Sequence, residues 1–423
     1  MRFGFLVSVL IIVFVVWQVI KINANVTNKE VIVRQVLPMD RSYEKVEAAS
    51  YINRIREAMS MQQLQENKRL QIAAQAHADY LVLNDALSHY EVEGHKGFVG
   101  VNAVERAMRT GYNSSHVIEN LSTKNENAHR SVNGLFSAIY HRFSFLDLGI
   151  DEIGVGIQQD KKHTAKSAFV YNMGNSDLNR LCTQESYKGT GKYVYNICRN
   201  KAHRIQEKAF QTALNSVKQY NPKIIFYPYS GQKEVPPAFY EEVPDPLPEH
   251  EVSGFPVSIE FNDYYFEDVT LNSFKLYKET GEEVTEVQLM DSHSDPNRSF
   301  TKHQYALFPL KRLAYDTKYR VEVVYTLKGK EEKAIWRFKT ETPQEVLHIV
   351  TGREENLRIK HGESYMIYFQ PLDEHELMSS MQFPSDVYIE FLDNHTIKMT
   401  IMADDLDSFD VVSDTRILHV EVE

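Results

Sequence analysis

The chain has 423 residues, a length that suggests two to four domains of roughly 100–200 residues each. Hydrophobic residues make up 43% of it and aromatic residues 11%, so it contains enough apolar material for several globular cores. The formal net charge of −11 argues against a nucleic-acid partner, because phosphate binding depends on an excess of Lys and Arg. We therefore expect no nucleic acid among its partners.

The first segment is an uncharged run from Phe3 to Ile20, bounded by Arg2 and Lys21. As a helix it would span about 27 Å, close to the ~30 Å hydrocarbon core of a bilayer. Residues 1–24 are therefore predicted to be a retained signal anchor, which is a transmembrane helix, or a cleaved signal peptide. The length of the run favours the anchor, whereas the sequence up to residue 24 would suit cleavage, and both interpretations stay open. Each places the rest of the chain on the extracytoplasmic side of the cell envelope, membrane-anchored or secreted.

After a spacer over residues 25–45, helical and strand-like patterns alternate through residues 46–180. This mixture predicts an α+β domain. Asn67 is placed to cap the second helix of that domain. Gly154 and Gly156, in an otherwise apolar strand, indicate the close approach of another backbone segment. The predicted helices cover about 49–59, 67–81, 102–110 and 128–140, and the predicted strands about 152–158 and 167–173.

Residues 181–225 are predicted to be an extension of this domain. They contain both cysteines of the chain, Cys182 and Cys198. An even pair in an exported chain predicts one disulfide, which would be worth about 3 kcal/mol in the chain-entropy model. Two free thiols are the alternative, and no C-x-x-C spacing indicates a metal site. A helical stretch over residues 201–219 follows.

Proline density rises in residues 226–252, which predicts a semi-rigid extended linker. From residue 253 the hydrophobic pattern alternates with a period of two, and turn residues separate the runs, as in a β-sandwich. We expect an immunoglobulin-like sandwich over residues 253–342, with Tyr319 in a tyrosine corner, and a small β module over residues 343–423. The chain as a whole is thus predicted to be α+β, with one or two all-β modules after the linker.

An ordered series of short motifs lies in the α+β region, namely Ala73–Ala78, Ser88–His89, Gly111–Tyr112, Glu119–Leu121, Tyr140–Arg142 and Ile153–Gly156. The series is similar to that of bacterial members of the CAP superfamily, the cysteine-rich secretory, antigen five and pathogenesis-related proteins, over residues 46–175. The resemblance implies an α-β-α sandwich with a solvent-facing cavity lined by His and Glu. Matched motif by motif, it assigns His89, Glu119 and His141 to that cavity.

The chain departs from the family pattern at two positions. The second glutamate of the family is replaced near Ala138, and Ile118 stands where a glycine is usual. Both departures put a four-ligand metal cluster in doubt. Glu91 or Glu105 would be the substitutes, and the spacing does not choose between them.

Two imidazoles and one carboxylate suit a divalent metal such as zinc, with one open position for a bound water. His89, Glu119 and His141 are thus the candidate metal ligands, and zinc is the candidate cofactor. Without metal, the same groups would pass protons near neutral pH, or would form a hydrogen-bonded cluster that only stabilises the fold. The sequence has no G-x-S-x-G and no H-E-x-x-H motif, so no catalytic residue is assigned.

Asn120 and Arg142 complete the predicted ligand-binding cavity. Asn120 would fix a cavity loop through its amide, and Arg142 would pair with a carboxylate or face solvent. His77 lies on the apolar stripe of its helix and is expected to be a core histidine with satisfied hydrogen bonds. We expect the cavity to bind a lipid, a peptide or a cell-wall fragment rather than to run a reaction. The alternatives are a metal-assisted hydrolase of peptide or wall polymer, and a structural or adhesive envelope protein.

Overall fold

The structure, a computed structural model, describes residues 38–240, 242–373, 376, 378, 381–401, 406–413 and 415–423. The predicted anchor or signal peptide, residues 1–24, lies outside these residues, as does the spacer up to residue 37. Among the described residues, no helix combines the length and the apolar character needed to cross a membrane. The chain divides into two compact units, one formed by residues 35–342 and one that contains residues 343–423.

The larger unit begins with an α+β domain, one sheet covered by helices on both faces. Its helices are α1 (Arg41–Ala58), α2 (Lys68–Asn84), α3 (Ala103–Arg109), α4 (Ala128–Ser137), α5 (Ile139–Phe145) and α6 (Ser176–Leu181). Its strands are β1 (Gln65–Glu66), β2 (Val117–Thr123), β3 (Glu152–Gln159) and β4 (Ser167–Gly174), in the order β1-β3-β4-β2. The helices α1 and α4 pack on one face of the sheet, and α2 and α3 on the other. The predicted α-β-α sandwich is confirmed.

Local signals explain where most of these helices begin and end. Asn67 caps α2 as predicted, because its side chain accepts from the backbone N–H groups of the first turn. Asp40 caps α1 in the same way, so the predicted spacer ends five residues early. The predicted continuous helix over 128–140 is wrong. Ala138 has extended backbone angles, with φ −74° and ψ 120°, and separates α4 from α5.

Gly154 and Gly156 let α2 lie directly on β3, as the sequence predicts. A Cβ atom on Gly156 would lie 2.1 Å from the carbonyl carbon of Ala74 in α2, and one on Gly154 would lie 2.1 Å from the backbone nitrogen of Gln71. No side chain fits at such distances. The helix that carries His77 is therefore held against the sheet by backbone contact, which fixes its height above the candidate site.

The extension contains a two-stranded ribbon and one helix. The elements are β5 (Tyr193–Val194), β6 (Ile205–Gln206) and α7 (Glu207–Lys218). The predicted disulfide between Cys182 and Cys198 is confirmed. The predicted helix over 201–219 starts only at Glu207, because the two residues before it, Ile205 and Gln206, belong to the ribbon.

Two four-stranded sheets form the β-sandwich of the larger unit. Their order is β13-β14-β11-β7 and β12-β15-β16-β8, and β9 and β10 form a small separate ribbon. The tyrosine corner is present, because the hydroxyl of Tyr319 accepts from the backbone N–H of Ala314 at 3.0 Å. The strands are β7 (Ile224–Tyr227), β8 (Gln232–Val235), β9 (Ala238–Phe239), β10 (Ser253–Gly254), β11 (Val257–Phe261), β12 (Thr270–Lys278), β13 (Val287–Met290), β14 (Gln304–Pro309), β15 (Lys318–Leu327) and β16 (Lys330–Thr340).

The predicted extended linker over 226–252 is wrong in its first part. β7 pairs with β11 in one sheet, and β8 pairs with β16 in the other, so the stretch supplies edge strands to both sheets. Prolines are tolerated there because edge strands leave backbone positions without a ladder partner. The sandwich therefore begins near residue 224, and its core is continuous with that of the α+β domain.

The unit that contains residues 343–423 is a second all-β module, as predicted. It has two four-stranded sheets, β17-β19-β22-β21 and β18-β24-β23-β20, around its own core. The strands are β17 (Val346–Val350), β18 (Glu354–Ile359), β19 (Ser364–Phe369), β20 (Met381–Gln382), β21 (Val387–Asp393), β22 (Thr396–Ile401), β23 (Ser408–Ser413) and β24 (Ile417–Val422).

Candidate functional site

Glu119 lies in β2, one of the two edge strands of the α+β sheet, on the face that packs against α2. Its side chain is only 3% exposed. Both carboxylate oxygens accept from Nη2 of Arg106 at 2.8 Å, and Oε1 lies 3.1 Å from Nδ1 of His89. With its amide nitrogen turned toward β2, Asn172 also donates to Oε2 at 2.9 Å and accepts from Ala74 at 3.2 Å. Four separate segments of chain thus meet at one buried carboxylate.

A second His–Glu pair lies beside the first and is fully buried. Nδ1 of His77 lies 2.9 Å from Oε1 of Glu91, and its Nε2 lies 3.0 Å from the carbonyl oxygen of Ser88. The other oxygen of Glu91 accepts from the backbone N–H groups of Val99 and Gly100. Both ring nitrogens of His77 are therefore engaged, as expected for a core histidine. Of the two acids proposed as substitutes, Glu91 belongs to this cluster.

Arg106 joins the two pairs. It lies in α3 with no exposed surface, and its Nε is 3.7 Å from Glu91 while its Nη2 holds Glu119. The same guanidinium donates to the carbonyl oxygens of His89 and Gly100 at 3.1 and 3.3 Å. A buried cation between two carboxylates compensates their charge and fixes the loop that carries His89. Glu105, the other acid proposed as a substitute, instead accepts from the backbone of Val101 and is exposed.

His141, in α5, completes the group at the surface. Its ring centroid lies 6.3 Å from that of His89, and the two rings are within 22° of parallel. Nδ1 of His141 faces Oε2 of Glu242 at 3.4 Å, and the other oxygen of Glu242 accepts from the backbone N–H of Tyr140 at 2.9 Å. Glu242 lies between β9 and β10, and its side chain is 2% exposed. The structure thus brings His89, Glu119 and His141 together.

The charge of Glu119 is set by opposing effects. Burial alone would raise the pKa of Glu119, but the hydrogen bond from His89 and the charges of Arg106 and His77 outweigh it, so the pKa lies below its ordinary value. The same holds for Glu91, whose pKa is lowered, against the effect of burial, by His77, two backbone N–H groups and Arg106. Both acids are therefore anions at neutral pH.

Asn120 and Arg142, which were both predicted to line the cavity, lie in different parts of the structure. Nδ2 of Asn120 donates to the carbonyl oxygen of His141 at 2.8 Å, so this side chain fixes the start of α5 relative to β2. Arg142 is directed away from the cluster and has no exposed surface. Its guanidinium donates to the carbonyl oxygen of Pro256 at 2.8 Å and lies 4.8 and 4.9 Å from the ring centroids of Tyr227 and Phe255. The prediction that Arg142 belongs to the ligand cavity is corrected, because this residue instead joins the domain to the β-sandwich.

The residues present do not fit the predicted metal site. Among the described residues, no group of three or more His, Cys, Asp or Glu side chains is arranged to hold a metal ion. The physical reason lies in the partners of the predicted ligands. Both oxygens of Glu119 are engaged by the Arg106 cation, and Nδ1 of His141 faces Glu242. A dication bound by Glu119 would have to displace a buried guanidinium.

Comparison with known families agrees with this architecture. Residues 49–173 match the model of the cysteine-rich secretory protein family, CAP. The matched residues contain α2, the four strands and the two His–Glu pairs, here called the His–Glu cluster (His77, His89, Glu91 and Glu119). These residues are a CAP domain. No curated protein matches the chain.

Among solved structures, the CAP domain is similar to an outer surface protein from Borrelia burgdorferi, at 18% identity and a TM-score of 0.29, over 32% of this chain and 95% of that one. It is similar to an extracellular SCP-domain protein from Bacillus anthracis at 17% identity and a TM-score of 0.28, over 32% of this chain and 41% of that one. Fibronectin(III)-like modules from Clostridium thermocellum match 47% of this chain and 94% of theirs, at 10% identity and a TM-score of 0.16.

The cluster of the CAP domain reaches solvent mainly through one ring. The side chain of His89 is 42% exposed and that of His141 14%, whereas Glu119 is almost fully covered. Cavities of about 230, 290 and 380 Å³ lie along α1 and contain none of these three residues. The candidate site is therefore a pair of imidazole rings on a buried ionic network, rather than a hollow lined equally by all three groups.

Sequence reasoning missed three partners of the cluster, namely Arg106, Asn172 and Glu242. Asn172 had a detectable signal, because it stands at an inward position of a strand that is otherwise apolar. Arg106 gave none, since its helix carries another arginine at residue 109 that is not buried. Glu242 is one of several acids in the proline-rich stretch, and only the fold shows that it reaches His141.

Proposed function

We propose that the chain is an extracytoplasmic, membrane-tethered protein whose CAP domain binds a lipid, a peptide or a cell-wall fragment at the surface formed by His89 and His141. The uncharged run over residues 3–20 supports the tether, and the disulfide supports an oxidising compartment outside the cytoplasm. The single observation that carries the binding proposal is the exposed His89 ring fixed by the buried Glu119.

The two rings use the same nitrogen, Nδ1, for their contacts with carboxylates. Nδ1 of His89 and Nδ1 of His141 each face a carboxylate, which favours the tautomer with the proton on Nδ1. Within the described part of the chain, neither Nε2 atom has a hydrogen-bond partner. A ligand hydroxyl or amide N–H would donate to these atoms when the rings are neutral. A ligand carboxylate or phosphate would accept from them when the rings are protonated.

Binding is supported over hydrolysis because, among the residues that the structure describes, no contact of either ring supplies a nucleophile. Oγ of Ser88, the hydroxyl next to His89 in sequence, accepts from the backbone N–H of Tyr90. An imidazole needs a hydroxyl or thiol within hydrogen-bond reach, or a positioned water, to act in acyl transfer. The metal-assisted hydrolase finds no support either, since the proposed ligands are already engaged by Arg106 and Glu242.

The test compares three probes on the full chain kept in mild detergent. The probes are a disaccharide–tetrapeptide fragment of peptidoglycan, an unstructured peptide of mixed composition, and equimolar vesicles of phosphatidylglycerol and phosphatidylcholine. The variant is His89→Gln, and its control is His163→Gln, the same change at an exposed histidine in the loop between β3 and β4.

We expect at least one probe to bind the unchanged protein, with affinity lowered roughly tenfold by His89→Gln and unaffected by His163→Gln. Saturation without any turnover of the bound probe fits a binding protein. The proposal fails if none of the probes binds, or if both variants bind them as the unchanged protein does. Turnover that is lost in His89→Gln would establish the hydrolase instead.

A further inference from the structure

A second surface of unusual charge lies in the extension, formed by residues other than those of the His–Glu cluster. Residues 182–204, here called the basic loop, are closed by the disulfide and by the ribbon of β5 and β6. From residue 188 to residue 204 the sequence has five Lys or Arg and no Asp or Glu, in a chain with a net charge of −11. Positive charge is therefore concentrated at one place on an otherwise acidic protein.

The cations of the basic loop are available to a partner. Lys192, Arg199 and Lys201 are all exposed. Within the described residues, none of the three has a carboxylate within 4.0 Å, in contrast to most exposed lysines of the sandwich. Lys188 has only a weak contact of 3.5 Å with Glu185, and both of these side chains are more than 80% exposed. Unpaired cations at this density repel one another, and an anionic ligand would relieve that repulsion.

Aromatic rings accompany the cations. Tyr193 is 42% exposed and Tyr195 is 59% exposed, and their ring centroids lie 6.3 Å apart. The guanidinium of Arg204 lies 3.6 Å from the ring centroid of Tyr193 on one side and 5.8 Å from that of Tyr187 on the other. Exposed tyrosines next to cations offer flat apolar faces for sugar rings and charges for anionic groups on the same polymer.

The basic loop is also held in one conformation. Besides the disulfide, its backbone is bonded to the CAP domain, where Ser115 donates to Ile197 at 2.7 Å and Arg199 donates to Asn113 at 2.7 Å. Tyr187 and Arg204 are joined by a further backbone bond of 2.8 Å. A surface that is ordered before binding loses less conformational entropy when a ligand arrives.

The exposed rings of the basic loop select its ligand. Lipid headgroups such as phosphatidylglycerol offer an anionic surface but no sugar ring on which a tyrosine can stack. Tyr193 and Tyr195 are exposed beside the cations, so a polymer that carries both acidic groups and sugar rings suits the basic loop better than lipid headgroups.

We propose that the basic loop binds an anionic glycan polymer, with Lys192, Arg199 and Lys201 on its acidic groups and Tyr195 against its sugar rings. This is a second binding surface, independent of His89. Its test uses the full chain in mild detergent with polygalacturonate as the probe. Dextran serves as the uncharged glycan, and vesicles of phosphatidylglycerol serve as the anionic surface without sugar.

The loop variant is Lys192→Gln/Arg199→Gln/Lys201→Gln. Its control, Lys275→Gln/Lys302→Gln/Lys330→Gln, removes the same charge from exposed lysines of the sandwich that each contact an acid. Tyr195→Ser tests the contribution of the ring. All variants change surface residues, and each is compared with the unchanged protein by far-UV circular dichroism and thermal midpoint.

We expect polygalacturonate to bind the unchanged protein, and to bind roughly tenfold more weakly when the salt concentration rises from about 50 to about 300 mM. The loop variant should lose roughly tenfold in affinity and Tyr195→Ser roughly threefold, while the control stays within twofold. The proposal is overturned if the loop variant and the control bind alike, if dextran binds as well as polygalacturonate, or if only the vesicles bind.

Discussion

Nη2 of Arg106 lies 2.8 Å from both carboxylate oxygens of Glu119, and neither side chain is more than 3% exposed. This ion pair fixes the segments of chain that form the candidate site. It holds α3 to the edge strand β2, and through the carbonyl oxygen of His89 it holds the loop that presents the exposed ring. The proposed ligand surface and the stability of the CAP domain are therefore linked.

Glu119→Gln should destabilise the CAP domain by about 3 kcal/mol, because it leaves the buried Arg106 with an incomplete counter-charge. Since the pKa of Glu119 in the folded protein is lowered, its contribution is complete above about pH 4.5 and is lost as the pH falls through the folded value. Urea unfolding followed by circular dichroism measures the change. Glu105→Gln, at an exposed acid of the same helix as Arg106, should cost less than about 1 kcal/mol. Equal losses in the two variants would contradict this account.

Gly156→Ala should destabilise the domain by about 3 kcal/mol or more, since the new Cβ would overlap the backbone of Ala74. Gly134→Ala is a matched control, because Gly134 lies exposed in α4 with open space around it. There the same change should stabilise the protein by about 0.5–1 kcal/mol through helix propensity. Thermal unfolding of the two variants should move in opposite directions, and a neutral Gly156→Ala would show that α2 is not in backbone contact with β3.

Glu260→Gln should make the protein more stable at pH 8. Burial and the nearby charge of Asp147 raise the pKa of Glu260 well above its ordinary value, and its Oε2 has no hydrogen-bond partner among the described residues. A raised carboxyl pKa means that the folded state holds a proton that the unfolded state has released, so wild-type stability falls as the pH rises above about 4.5. Glutamine removes that dependence. The urea midpoints of the wild type and of Glu260→Gln should differ at pH 8 and converge at pH 5. Glu267→Gln, at an exposed acid, should leave the midpoint unchanged at both pH values.

Glu242→Ala should uncover His141. The carboxylate faces Nδ1 of that ring and also accepts from the backbone N–H of Tyr140, so its loss loosens the contact of the segment between β9 and β10 with α5. Carbethoxylation of His141, followed residue by residue with mass spectrometry, should become roughly threefold faster or more. Glu249→Ala, at an exposed acid of the same stretch, should leave the rate as it is. A rate equally unchanged in Glu242→Ala would show that Glu242 does not cover the ring.

Local chemistry determined much of the fold in advance. The capping Asn67, the glycines of β3 and the corner at Tyr319 each depend on contacts with a few identifiable backbone atoms, and such contacts leave a readable pattern. The break at Ala138 left none, because nothing in its own residue type opposes a helix. The edge strands β7 and β8 were hidden by prolines, which indicate an extended chain but not its sheet partner.

The site was predictable only in part, for a similar reason. His89, Glu119 and His141 could be placed together because each stands in a motif of the family. The role of Arg142 was misjudged, since its neighbour His141 faces the cluster while Arg142 itself faces the sandwich. Adjacent residues on a helix point about 100° apart, and a motif does not say which of them faces the site.

The most direct test of the central claim is the reactivity of His89 in the full chain. Carbethoxylation of individual histidines is followed by mass spectrometry, with and without each of the three probes used for binding. We predict that His89 reacts faster than His141 and much faster than His77, in the order of their exposure, and that a bound probe protects His89 by roughly tenfold. A saturating probe that leaves the reactivity of His89 unchanged would contradict the account.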